Sequence, residues 1–169
     1  MSCLLTSGYS LGCRDSIGGI KKAYIGNFSS GATYTFDANE TITAFGGATV
    51  SYFTFEQEIE TGEFNQTGAY STENGTVFFD QQLSLMFHKN DSTLRNQLLV
   101  LSQANMSVII EDQRGEYWLM GIENGVRAIN GAMNTGRLYG DMNGVTITLQ
   151  AKEKEPAHRI SATASGFPV

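Results

Sequence analysis

Hydrophobic and polar residues alternate over short runs through most of this chain, and Gly, Asn and Asp punctuate the runs. KKAYIGNF (21–28), ATYTF (32–36) and ETITAF (40–45) read as strands separated by Ser-Ser-Gly and Asp-Ala-Asn turns. Gly46-Gly47 precedes a longer run, TVSYFTFEQEIE (49–60), and EFNQTGAYS (63–71) returns beside it after Gly62, which predicts a hairpin over 49–71. Asn74-Gly75 is a strong hairpin signal. In the TVFFDQQLSLMF run that follows (76–87), Val77, Phe79, Gln81, Leu83, Leu85 and Phe87 share one face. One polar side chain among six leaves this a core strand.

A single segment has helical spacing. Asn90-Asp91-Ser92 offers N-cap candidates, and Leu94, Leu98 and Leu101 recur on one face with Leu99 beside them, which predicts a helix over 92–104 packed on a sheet. Strands resume at 106–112, 116–121, 126–130 and 145–151, with Asn130-Gly131 and Asn143-Gly144 as further hairpin signals. Residues 1–19 carry no period and read as an N-terminal arm, and 155–169 reads as a C-terminal arm or frayed end. The expectation is one mostly-β domain over 20–154, a barrel or sandwich with one flanking helix. Strands as long as 49–60 and 63–71 would overhang such a body and expose backbone edges for neighbours to pair with.

Composition narrows the classes. At 169 residues the chain suits one domain with a real core. Its 41% hydrophobic and 17% charged residues exclude disorder, and no apolar run approaches the roughly 20 residues of a membrane-spanning helix. A net charge of −6, with Lys21-Lys22 the one adjacent basic pair, argues against a protein that grips nucleic acid by its phosphates. The start has neither a basic n-region nor a sustained apolar core, so no export signal is expected. Cys3 and Cys13 then read as reduced thiols, with a single bridge between them as the alternative. The sequons at Asn27, Asn39, Asn65, Asn74, Asn90 and Asn105 read as turn asparagines followed by Ser or Thr.

Candidate chemistry is sparse. In an extended FEQEIETGEF stretch (55–64), Glu56, Glu58 and Glu60 would point to one side of a strand. Neighbouring carboxylates about 6.6 Å apart by strand rise meet the distance test for a glycosidase pair, but so does any i, i+2 pair. The nearest aromatics, Phe53 and Phe55, point to the opposite face. Asp141-Met142-Asn143-Gly144 lacks the later ligands of a calcium loop. His88 and His158 lie far apart, and no nucleophile or phosphate-loop motif occurs. Trp118 reads as a core residue. No enzyme, metal or cofactor is expected on these grounds.

One stretch reads as more than generic β. YWLMGIENGVRAINGAMNTGRLYGDMNGVTITLQAKEKEPA (117–157) carries Gly121, Asn124-Gly125, Thr135-Gly136, Gly140-Asp141 and Gly144, then Glu153-Lys154-Glu155-Pro156-Ala157. In that order these residues resemble the C-terminal half of small structural proteins from tailed phages of Bacteroidetes, including crAss-like relatives. The opening CLLTSGYSLGCRDSIGGIKKAYIGNF (3–28) looks like the start of the same group, and Val145 departs from it where an aromatic is usual. The resemblance implies a virion tail-tube protein, assembled in the host cytoplasm, whose β-barrel or sandwich subunits form hexameric rings. The rings stack around a lumen through which DNA passes unbound. A ring or collar subunit between portal and tail is the related alternative, and a carbohydrate-binding β-sandwich or a small hydrolase using Glu56 or Glu58 stands outside the resemblance. In a tube, Glu56, Glu58 and Glu60 would either line a lumen that repels DNA or face outward and deter edge pairing. Contacts between subunits are expected from Ile17, Phe53, Phe55, Phe64, Tyr70 and Phe167.

Overall fold

The computed structural model describes residues 7–14 and 16–167. Within them the chain forms β1 (Ile20–Asn27), β2 (Ala32–Phe36), β3 (Ile42–Gly47), β4 (Tyr52–Glu56), β5 (Glu63–Ser71), β6 (Thr76–His88), helix α1 (Ser92–Gln103), β7 (Met106–Asp112), β8 (Tyr117–Met120), β9 (Arg127–Asn134), β10 (Gly144–Glu153) and β11 (His158–Ser165). The fold is mostly β with one helix, as the alternation predicts. It is not a closed barrel. A larger sheet runs β2-β3-β11-β8-β7-β1-β4 and a smaller one runs β5-β6-β10-β9, so β2, β4, β5 and β9 remain as edges.

Burial on one face or two separates the sheets chemically. In the smaller sheet, Leu83, Leu85, Ile147 and Leu149 face the larger sheet, while Asp80, Gln82, Thr148 and Gln150 form a polar outer face. In the larger sheet both faces are covered. Ala23, Ile25, Val108, Ile110 and Met120 enter the core between the sheets. Their alternates Tyr24, Ile109 and Leu119 join Ile42, Ile160 and Ala164 in a second cluster, with Tyr34, Phe45 and Tyr52 packed against it. Continuous apolar runs such as VII at 108–110 follow from that two-sided burial. Gln81, 1% exposed, is the polar member of the core strand. Its side chain accepts from Gly121 N at 3.3 Å and donates to the Glu155 carbonyl at 3.2 Å.

Several expectations are corrected. The run 49–60 is a strand only over Tyr52–Glu56, and it pairs with β1, not with 63–71. The chain instead crosses between sheets after Glu56: Gln57 N donates to Lys21 O, and the Gln57 side chain accepts from Met86 N at 3.0 Å on β6. That side chain takes the place of a strand partner beyond the end of β5, where Glu63 pairs with Ser84. A turn at 59–61 follows, with Glu60 at φ 65°. Hence 49–71 is no hairpin, and the hairpin is β5–β6 across residues 72–75.

Asn130-Gly131 is likewise no turn. β9 runs through it, with Ile129 the extra residue of a bulge between Ala128↔Leu149 and Asn130↔Thr148. The expected C-terminal arm contains β11, which pairs antiparallel with β8 and in parallel with β3, so the domain extends to Ser165. Its inward residues, His158, Ile160 and Ala164, are too few and too small to announce a strand by periodicity. At the other end, residues 7–14 and 16–19 are exposed and without regular structure, consistent with an arm, while Cys3, Asp15 and the last two residues lie outside the described residues.

Helix α1 matches the predicted span, with Asp91 as its N-cap and Ala104 closing it. Its leucine stripe is seated shallowly: Leu101 is buried and Leu98 packs on the core, but Leu99 and Val100 are 56% and 61% exposed.

Replacing Gln81 by Leu keeps the volume but strands the Gly121 N–H and the Glu155 carbonyl. The expected loss is about 1–3 kcal/mol of unfolding free energy by urea titration. A neutral or stabilising result would contradict the role given to that side chain.

Candidate functional site

The smaller sheet reaches past the body that covers it. β10 pairs with β6 from Gly144↔His88 to Glu153↔Phe79, so Thr76, Val77 and Phe78 have β5 as their sole partner. Residues 69–78 therefore project as a hairpin tip. Cross-strand register puts Tyr70 opposite Val77 and Gly68 opposite Phe79. Since side chains two apart share a face, Tyr70, Val77 and Phe79 continue the face that carries Gln81 and Leu83 into the core. Beyond the sandwich none of the described residues covers it: Tyr70 is 71% and Val77 56% exposed. The Tyr70 ring lies edge-on to Phe79 at 6.3 Å and over Gly68, where a Cβ would collide with it. On the other face Lys152 Nζ stands 5.7 Å from the centre of the Phe78 ring.

Two more apolar features adjoin an edge of each sheet. Between α1 and edge strand β4 lies a groove of about 350 Å³ lined by Phe53, Phe55, Val100 and Leu101. A second, of about 410 Å³, lies between α1 and edge strand β9, lined by Leu98, Leu99, Ile129 and Met133. α1 thus sits between the edges of the two sheets without filling the space on either side.

Of the residues expected to make contacts, Ile17, Phe53 and Tyr70 are 66–71% exposed. Phe55 and Phe64 instead pack against the core, Phe55 with its ring 5.9 Å from that of Phe87. Phe167 packs on Phe45 and Tyr117 in the second cluster. The carboxylate stripe is not formed. Glu56 closes β4 and pairs with Lys22 Nζ at 3.1 Å, whereas Glu58 and Glu60 belong to the crossing and turn that follow. The geometry of an alternating strand face fails there because the strand ends at Glu56.

Other titratable groups are engaged structurally. Glu111, 5% exposed, takes Lys21 Nζ at 2.7 Å and the Tyr24 hydroxyl at 2.9 Å. Glu111 holds the Lys21 ammonium above its ordinary range, first by the hydrogen bond and then by its charge. Burial, reinforced by the hydrogen bond to Glu111, raises the Tyr24 phenol well above its usual value. Both keep their protons at neutral pH, so the cluster is a fixed ion pair with no free base. In the 121–125 loop, Gly121 and Gly125 both have φ 75°, open to glycine at little cost. The buried Glu153 carboxylate accepts from Asn124 N at 2.9 Å and from Glu123 N at 3.3 Å. Burial raises its pKa, and those backbone donors partly offset the rise. The Asp141 carboxylate similarly caps Arg137 N and Leu138 N at 2.8 Å each, which lowers its pKa and accounts for Asp141-Met142-Asn143-Gly144 as a turn.

The sequence compares with no family model and with no curated protein. The site rests on geometry.

Because the folded pKa values of Lys21 and Tyr24 are raised, their contribution is complete below their ordinary values of 10.5 and 10.0 and is lost as pH rises through the folded values. The denaturation midpoint should therefore fall on the alkaline side of about pH 10, and Lys21→Gln or Tyr24→Phe should each flatten that limb. An unchanged limb in both variants would contradict the coupling to Glu111.

Proposed function

We propose that this chain is a ring-forming virion structural protein of the tail-tube type, whose copies complete one another's exposed edges and enclose a passage for DNA. The observation that carries the reading is the β5–β6 tip, where the core-side face of a sheet runs out of its own molecule with Tyr70 and Val77 uncovered. An unpaired ribbon with an apolar face is an aggregation hazard unless a defined partner takes it. The motif resemblance of 117–157 makes that partner a sister copy.

Magnitudes support several contacts per subunit. Burying a large apolar side chain contributes about 1.5–3 kcal/mol, and a stable interface buries about 1,200–2,000 Å² in total. Tyr70 and Val77 cannot supply such an area. The grooves on either side of α1, the exposed Phe53 and the arm that carries Ile17 supply the remaining apolar surface. A net charge of −6 suits a passage that DNA traverses without adhering.

Sedimentation velocity and negative-stain microscopy across rising concentration test the reading. The wild-type chain is expected to form closed rings or stacked tubes. Tyr70→Ser with Val77→Ser is expected to stay monomeric while melting within a few degrees of wild type, because both side chains lie outside the core. A wild-type chain that remains monomeric throughout would overturn the proposal, and so would a double variant that assembles equally well.

A further inference from the structure

Toward the β2 side of the larger sheet, a residue of the β2–β3 turn meets two residues from the far end of the chain. His158, 8% exposed, begins β11, with Glu155 three residues before it and Glu40 on the β2–β3 turn. One ligand atom from each lies within 4.8 Å of the others. His158 Nδ1 stands 3.0 Å from the Glu40 carbonyl oxygen, which can only accept, so Nδ1 is the donor of that hydrogen bond. The Asp37 carboxylate fixes that turn by accepting from Asn39 N and Thr41 N, and the Phe36 ring leans on the imidazole at 4.8 Å. Nε2 is thereby aimed at Glu155 Oε2, 3.3 Å away.

Nε2 and the Glu155 carboxylate therefore face each other across a gap that a proton or a metal cation can bridge. Among the described residues, no Lys or Arg lies within 4.0 Å of the Glu40 or Glu155 carboxylate. The neighbouring Lys154 and Arg159 are engaged by Glu123 and Glu116. The pocket alongside, about 430 Å³, is lined also by Glu123 and Glu153. Zinc bonds nitrogen and carboxylate oxygen at about 2.0–2.2 Å, and a tetrahedron with such arms has an edge of about 3.3–3.6 Å. The Nε2–Oε2 separation is that edge. A backbone carbonyl on the far ring nitrogen is also the usual way a ligating histidine is oriented.

We propose that His158 Nε2, Glu155 and Glu40 bind a divalent transition cation of the zinc class, leaving a fourth position open to water. The proposal is independent of assembly. Its consequence is mechanical: β3 pairs with β11 at Ile160↔Ile42 and Ser165↔Ala44 with an irregularity between, so the β2–β3 hairpin is joined to the sheet by a broken ladder. A cation held by Glu40 on that hairpin, by His158 at the start of β11 and by Glu155 just before it would clamp the hairpin.

Chelator-treated protein should take up one zinc ion per chain by equilibrium dialysis and elemental analysis. Its melting temperature should rise with zinc, and amide exchange over 32–47 should slow, whereas magnesium should do neither. Glu155→Gln and Glu40→Gln alter exposed side chains and should keep the fold of the zinc-free protein, and each should weaken zinc binding at least tenfold. The proposal is overturned if wild type takes up no zinc, or if both variants bind it as wild type does. It is overturned equally if the group responds to pH alone, the behaviour of a plain imidazolium–carboxylate pair.

Discussion

The structure turns on a mismatch of lengths. β6 has 13 residues and its partner β10 has 10, so Thr76, Val77 and Phe78 run past the end of β10. Over Gln81, Leu83 and Leu85 the inner face of β6 is buried and at Phe79 it is half-buried, but over Val77 and the facing Tyr70 it continues with the same chemistry and is mostly exposed. Hydrophobic burial is proportional to area removed from water, so a face built for burial and left wet is a stored driving force for association. Its outward direction, along one hairpin, gives that force a geometry.

The rest of the body anchors the base of the projecting ribbon. The larger sheet is clad on both faces along β1, β7 and β8. Carboxylates hold the irregular parts: Glu153 the 121–125 loop, Asp141 the 136–141 turn, and Asp37 the β2–β3 turn that delivers Glu40 to His158. At these places a single side chain accepts two backbone N–H groups, the economical way to satisfy donors in a tight loop. Where such support is missing, around α1, apolar grooves remain open on both sides of the helix.

Much of the fold was legible because alternation is a local signal. Nearly every strand and the helix lie where the period places them, and the face through Leu83 and Leu85 is the buried one. The failures share a cause. The end of a strand depends on what its neighbours offer, and nothing within FEQEIE announces that Gln57 will bond to Met86 and turn the chain between sheets. β11 was illegible because Ser, Ala and Thr alternate weakly and are buried only by contact with β3 and β8. The His158 cluster lay beyond reach for another reason: the Glu40 carbonyl it meets is 118 positions away.

The central claim is that the inner face of the β5–β6 tip is covered by another copy of this chain. Amide hydrogen exchange over residues 69–78 measures this most directly when followed as a function of protein concentration. The account predicts fast exchange in dilute solution and strong protection at concentrations where the chain assembles, with the central strand β7 unchanged throughout. Tip amides that exchange equally fast in monomer and assembly, or that are already protected in the monomer, would contradict it.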